Sequence, residues 1–501
     1  METKLKELET RLMKINDLNS AAALLAWDQT TYMPPGGAAA RGRQLATLGR
    51  LAHEQFTDPA VGKLLDDLHP WEQSLPYDSD QASLIRVARR EYEKAIQVPP
   101  EFVARLSTHE AESYEIWTKA RPENDFAAVQ PMLEKTLSLS RELADFFPGY
   151  DHIADPLIDF SDYGMKAASV RAVFDQLRAR LVPIVRAITS QPAADDACLQ
   201  QSFPTGQQQA FFTDIIKAFG YDFNRGRCDV SPHPFTTNFS IGDVRITVRF
   251  QEHDLSEALF SALHEAGHAM YEQGIDVAFE GALLAGGTSA GVHESQSRLW
   301  ENVVGRCRGF WQFYYPKLET VFPGQLAGVP LDTFYRAINK VQRSLIRTDA
   351  DEVTYNLHVM LRFGLELDLL EGKLAVRDLP EAWRERFEAD LGIVPPDDRD
   401  GVLQDVHWYG GIIGGAFQGY TLGNILSAQF YQAALQACPQ IPSQLAVGKF
   451  DTLHSWLKDN IYRHGSKYTA PELIARVTGG PLSVDPYITY LRSKYGELYA
   501  L

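Results

Sequence analysis

His264-Glu265-Ala266-Gly267-His268 sets two imidazoles four residues apart, with a carboxylate directly after the first. On a helix that spacing stacks both rings on one face, one turn apart. Both can then reach a single cation at about 2.0–2.1 Å, the usual zinc–nitrogen distance. Glu265 stands where it can hold a water on that cation and take its proton, as the general base of a metal hydrolase does. A catalytic zinc with two histidines needs a third ligand and an open position. Glu294, in His293-Glu294-Ser295-Gln296, is the candidate: it lies 26 residues beyond His268 (294 minus 268), after a glycine-rich passage from Gly281 to Gly291. The chain carries its own decoy. His109-Glu110-Ala111 repeats the start of the motif, but Ser113 stands where the second histidine belongs, so an ordinary surface helix is expected there.

Other residue types complete a hydrolytic site. Ile346-Arg347-Thr348-Asp349-Ala350-Asp351-Glu352 places one cation among three acids. Arg347 is read as a fork that grips a substrate carboxylate, with those acids positioning it; a surface salt-bridge cluster is the alternative. His407, in Gly401-Val402-Leu403-Gln404-Asp405-Val406-His407-Trp408, and Tyr420 are donors of the kind that stabilise an oxyanion opposite a metal. Without the metal motif, each would read as a core aromatic with its polar tip satisfied.

The elements that hold these residues follow from local pattern. Asp254 and Glu257 predict a capping box, Leu259, Leu263, Ala266 and Met270 a buried stripe, and Gly274 a helix stop. No charge except Glu265 falls between Ala258 and Tyr271, so the metal helix is expected to run through the interior. Asp243 to Phe250 alternates polar and apolar residues, which predicts a half-buried strand, with Phe235 to Ile241 as its partner across a turn at Gly242. The strand edge could pair with an extended peptide or simply cover the core; the sequence leaves both open. Leu5, Leu8, Leu12 and Ile15 open the chain with an amphipathic helix, and residues from about 40 to 200 read as successive helices broken near prolines. Arg86, Arg89, Arg90 and Lys94 cluster on one of them, as a solvated face with no assigned role. The expected fold class is mainly α, a large helical protein with a small antiparallel sheet beside the metal helix. Residues 1–200 are expected to form an N-terminal helical region and 201–501 the metal-binding region, as one continuous unit joined near Gln191–Asp196.

Composition narrows the partners. The 501 residues are 45% hydrophobic and 23% charged, ordinary for a soluble globular protein, and a formal charge of −17 argues against nucleic acid and anionic membranes. Four scattered cysteines without metal-site spacing point to free thiols in a reducing compartment. With no apolar run near membrane length and no signal-type N-terminus, a cytoplasmic protein is expected.

The ordered motifs resemble the thermostable carboxypeptidase Taq family of zinc metallocarboxypeptidases. Those that match are His233-Pro234-Phe235, Asp243-Val244-Arg245-Ile246-Thr247, the metal helix, His293-Glu294-Ser295-Gln296, Arg347 with Ala350-Asp351-Glu352, and Gly401 to Trp408. Trp27-Asp28-Gln29 and Met33-Pro34-Pro35-Gly36-Gly37 are similar as well. The resemblance implies removal of C-terminal residues from peptides with broad specificity, proline excepted, by a mostly helical metallopeptidase, commonly a homodimer, with a deep groove of which residues 1–200 form one wall. It implies His264, His268 and Glu294 as ligands of zinc (or of Co2+ or another divalent ion), Glu265 as base, and Arg347 as the grip on the substrate's terminal carboxylate. His233, Asp243 and Arg245, from the shared motifs, are assigned to substrate binding. After His407-Trp408 the chain departs from the family pattern: Tyr409 replaces a serine, Ala416 and Gln418 stand where tyrosine and proline are usual, and Tyr420 is retained. Two rival readings stay open: an endopeptidase or dipeptidyl-carboxypeptidase on a similar groove, and a helical peptide-binding scaffold with structural zinc. The second lacks an evident fourth ligand.

Overall fold

Leu5, Leu8, Leu12 and Ile15 lie buried along one face of helix α1, Glu2–Thr31, in the computed structural model, which describes residues 1–500. Met33-Pro34-Pro35 ends α1, and α2 (Ala38–Phe56) folds back along it. Helices α3 (Pro59–Glu72) and α4 (Asp80–Gln97) complete a small core around Val61, Leu65, Leu68, Ile85 and Ala88. Ile241, Ile275, Phe279 and Leu284 join that core from the remainder of the chain, whose own hydrophobic core runs from Phe102 to Tyr499.

The decoy histidine lies on α5, Pro100–Glu123. Most of α5 faces solvent, as expected, but His109 is fully buried and its Nε2 pairs with Thr136 Oγ1 at 2.8 Å. It is a core histidine with one ring nitrogen paired and Nδ1 without a hydrogen-bond partner, and it belongs to no metal-type cluster among the described residues.

The small sheet is present, but mixed rather than antiparallel throughout. Strand β1 (Cys228–Val230) runs parallel to β3 (Asp243–Val248), and β2 (Thr236–Ser240) pairs with β3 antiparallel, giving the order β1-β3-β2. Three residues are too few for β1 to show an alternation, which is why the sequence did not reveal it. The strand with the clearest pattern, β3, is therefore central, with both edges paired. The free edge beside the metal helix belongs to β2.

That metal helix is α6, Leu255–Gly274. Asp254 caps it by accepting from the Ser256 amide at 2.8 Å, whereas Glu257 turns away to ion-pair with Arg249, so the predicted capping box is only half formed. Fifteen of the 20 residues of α6 are buried, including Glu265. Such burial requires neighbouring helices to approach closely. Helix α7, Ala290–Arg298, crosses α6 at Gly267, where a Cβ would stand 2.6 Å from the Gln296 carbonyl oxygen and the Ser297 Cα. Helix α9, Gln418–Ala437, crosses α7 at Gly423, where a Cβ would meet Glu294 Cβ at 2.5 Å. Helix α8, Tyr355–Leu370, packs behind them.

Gly267 is thus fixed by space and not by backbone conformation. Gly267→Ala must push α7 away from α6, an overpacking that costs about 1–3 kcal/mol. Differential scanning fluorimetry should show a melting temperature lower by at least a few degrees, with divalent-metal affinity falling in parallel because Glu294 moves with α7.

Candidate active site

His264 and His268 point from one face of α6 toward Glu294 on α7. His264 Nε2 lies 3.7 Å and His268 Nε2 3.4 Å from Glu294 Oε2, and the three ligand-type atoms all fall within 4.8 Å of one another. Ligand atoms at the corners of a tetrahedron of zinc–nitrogen size are about 3.3 Å apart. The triad therefore fits a divalent cation with little movement. Both Nδ1 atoms are already engaged with other side chains, which leaves the two Nε2 atoms for the ion. His264 Nδ1 lies 3.0 Å from Glu301 Oε2. His268 Nδ1 lies 2.6 Å from His293 Nδ1, and His293 Nε2 lies 2.7 Å from Glu272 Oε1. One proton arrangement satisfies the second chain: His268 donates to His293, and His293 donates to Glu272. Asn238 of β2 and the Gly287 amide donate to the same carboxylate at 2.7 and 3.1 Å.

The charges around the triad are buried and paired. Arg298 donates to Glu294 at 2.7 Å and to Glu301 at 3.2 Å. Burial favours neutral carboxyls, yet Arg298 and the imidazoles hold Glu294 well below the usual range and Glu301 down to about 2. Burial, with the nearby imidazoles, pushes His268 down to about 3, toward the neutral form that a metal ligand needs. Glu265 behaves oppositely: burial raises its pKa above the ordinary value. Thr236 of β2 donates to Glu265 Oε2 at 2.6 Å and fixes its orientation. Of these supports, Glu272 had a sequence signal, since it follows His268 by one further helical turn. Glu301 likewise follows Glu294 by two turns, with Arg298 between them.

A second cluster surrounds Arg347, and here the structure corrects the sequence reading. Asp349, Asp351 and Glu352 do not position it. Asp351 accepts from the amides of Val353 and Thr354, and Glu352 is an ion-pair partner of Lys494 at 2.6 Å. The acid that holds Arg347 is Asp405, at 2.6 Å from Nε, while Tyr355 accepts from Nη1 at 3.0 Å. Asp405 also accepts from the fully buried Arg362 at 3.0 Å and pairs with His407 Nδ1. Against its burial, these cations hold Asp405 far below the usual carboxylate range. His407 Nε2 lies 3.1 Å from the Tyr420 hydroxyl, and the Arg347 guanidinium sits 5.2 Å from the Tyr420 ring centre. His407 and Tyr420 thus belong to one network with Arg347. Tyr355 ties that network to the metal triad, because Arg298 lies 4.6 Å from its ring centre.

The remaining candidates divide. Solvent-facing His233 lies near the Arg347 cluster; desolvation and the charges of Arg249 and Arg347 push its imidazole below its ordinary pKa. Asp243 and Arg245 form a two-pronged ion pair with each other at 2.8 Å, and Arg245 stacks between Trp27 at 4.6 Å and Phe239 at 4.9 Å. That pair locks β3 to α1 and makes no hydrogen bond to the triad or to Arg347. Tyr409, at the point of departure from the family pattern, is fully buried and stacks on Trp117 at 5.8 Å.

A helical core holding two histidines and a glutamate on crossing helices, with a buried carboxylate beside them, defines a metallopeptidase. The family model for carboxypeptidase Taq (M32) metallopeptidases matches residues 7–495, and the chain belongs to that family. It is 40% identical over 492 residues to thermostable carboxypeptidase 1 of Thermus thermophilus, covering 96% of each chain. It is 34% identical to carboxypeptidase 1 of Bacillus subtilis, covering 99% of each. The crystal structure of an M32 carboxypeptidase from Deinococcus radiodurans R1 superposes with a TM-score of 0.97 at 51% identity over 100% of both chains. The protein is therefore a hydrolase of the metallocarboxypeptidase class.

The chain from His268 through His293 to Glu272 should tune the metal site. Glu272→Gln and His293→Phe should each weaken divalent-metal affinity by about 10–100-fold, as loss of such outer supports commonly does. Competition with a chelating dye reads the affinity, and an unchanged circular dichroism spectrum of the metal-free variants would separate this from unfolding.

Proposed function

We propose that this protein is a zinc carboxypeptidase that removes residues singly from the free C-terminus of peptides. Zinc at His264, His268 and Glu294 would lower the pKa of a water toward about 7 and polarise the scissile carbonyl. Glu265, oriented by Thr236, takes the proton of the attacking water and passes it to the leaving amine; its raised pKa suits both tasks. Tyr420 is the donor to the developing oxyanion. His407, held by Asp405 at Nδ1, faces the Tyr420 hydroxyl at 3.1 Å with Nε2 and so fixes the position of the phenol oxygen. The protein is taken to be cytoplasmic and a homodimer, in keeping with its four free cysteines and its family.

The observation that carries the exopeptidase reading is the state of Arg347. Of its five N–H groups, Asp405 takes one on Nε and one on Nη2 and Tyr355 takes one on Nη1, which leaves two, one on each terminal nitrogen, for a carboxylate. Mass spectrometry of a short peptide incubated with metal-loaded protein tests the proposal. Stepwise loss of single C-terminal residues is expected, whereas internal cuts or loss of residue pairs would favour the endopeptidase or dipeptidyl alternatives.

Glu265→Gln should lower kcat by several orders of magnitude while metal analysis still finds one bound ion, since all three ligands remain. Arg347→Ala should lower kcat/KM for a peptide with a free C-terminus by roughly tenfold to a hundredfold, because a charged hydrogen bond of about 1.5–3 kcal/mol is lost. Its already poor turnover of the C-terminally amidated peptide should barely change. Equal losses on both peptides would assign Arg347 to structure alone.

A further inference from the structure

The basic cluster on α4 separates into two pairs. Arg86 lies over the Tyr77 ring at 3.8 Å, and Arg89 donates to the Leu65 carbonyl and ion-pairs with Asp66 at 3.2 Å, so both hold α4 in place. Arg90 and Lys94, one turn apart, instead line a recess of about 400 Å³ whose far wall is Ala290 and His293. Arg90 spends only its Nε, on Glu91 at 2.6 Å; its terminal nitrogens donate to nothing among the described residues. Lys94 donates to the Asp159 carbonyl oxygen at 2.7 Å, lies 4.8 Å from the Tyr163 ring centre, and has no ion-pair partner among the described residues. Burial pushes the Lys94 ammonium below its ordinary pKa, as befits a cation with no carboxylate bound to it. Two carboxylates share the lining, but both are engaged: Glu91 with Arg90 Nε, and Asp159 with the Gly164 amide at 2.9 Å. That leaves the terminal nitrogens of Arg90, stacked over Tyr163 at 4.3 Å, and the Lys94 ammonium as the donors still to be used.

The recess adjoins the metal triad from the side opposite Arg347. The His293 and His268 ring centres are 4.8 Å apart. Along α7, Arg298 at the C-terminal end reaches Arg347 through Tyr355, the recess opens at the N-terminal end, and Glu294 stands between. Ala290 of the recess precedes Glu294 by four residues, about 6 Å along α7 at ~1.5 Å per residue. A peptide held by its carboxylate at Arg347 and extended past the metal at about 3.3–3.6 Å per residue therefore reaches the recess about two or three residues upstream of the scissile bond.

We propose that this recess is an upstream subsite in which Arg90 and Lys94 select an acidic side chain, Asp or Glu, two or three residues before the bond that is cut. The proposal rests on the carboxypeptidase reading for its peptide direction. The exposed Phe160 at the rim offers apolar contact to the same side chain's methylenes.

The test uses metal-loaded Glu265→Gln protein and fluorescently labelled alanine-based peptides with a free C-terminus, carrying a single Asp, Ala or Lys at each upstream position in turn. At the second or third position, Asp should bind about threefold to tenfold more tightly than Ala, and Lys more weakly. The Asp-to-Ala ratio should collapse to about one in the Arg90→Ala/Lys94→Ala double variant, invert in favour of Lys in Lys94→Glu, and persist in Arg89→Ala. Equal affinities for Asp, Ala and Lys at every position, or a preference that survives the double variant, would overturn the subsite while leaving C-terminal shortening by the wild type intact. A preference that behaves as expected while the wild type cuts internally would keep the subsite and overturn the exopeptidase reading. Absence of binding by any peptide would overturn both.

Discussion

Three carboxylates, Glu265, Glu294 and Glu301, and the guanidinium of Arg298 lie buried together where helices cross, and the surrounding core depends on their being balanced. An unpaired buried charge is costly, and a broken buried ion pair destabilises by about 3–5 kcal/mol. With Arg306, 3.5 Å from Glu301, the five groups taken as ionised sum to −1 (three negative charges and two positive), so negative charge remains for a cation at the triad to offset. Arg298 is divided between Glu294 and Glu301, and Arg306 reaches the other carboxylate oxygen of Glu301. The same reasoning explains why Glu265 differs from its neighbours. It receives a hydroxyl hydrogen bond but no arginine, so burial leaves it the most basic of the three and the one suited to exchanging a proton.

Asp405 plays the corresponding part in the second cluster. It anchors Arg347, Arg362 and His407 at once, and Gln404 beside it accepts from the Arg347 amide and from Arg362. One rigid acid thus sets the directions of a cation and, through His407, of Tyr420. Tyr355 joins the two clusters, and Tyr420 of the second also lies within reach of the Glu294 charge.

The way these helices come together also accounts for the glycines. Gly267 and Gly423 have no side chain because backbone or Glu294 fills that space. Without those close crossings Glu294 could not reach both imidazoles. The sheet contributes along its free edge, where Thr236 and Asn238 of β2 steady Glu265 and Glu272 in turn.

What the sequence by itself determined was whatever one helical turn or one strand repeat can encode. The pairing of His264 with His268, the buried run of α6, the amphipathic α1 and the β2–β3 hairpin are all local, and the shared motifs added Glu294 and the family. What only the tertiary structure decided was which distant groups meet. Asp349, Asp351 and Glu352 are near Arg347 in sequence, yet a tight turn at Arg347–Asp349 followed by extended backbone at Ala350 aims them elsewhere, and Asp405 takes the position instead. Likewise, nothing in the spacing of His293 announces that it completes a chain from His268 to Glu272, nor does β1 announce itself in three residues. Helix period fixes the face a residue occupies, but the partner on the other side of that face is set by packing, and buried charge makes that choice strict.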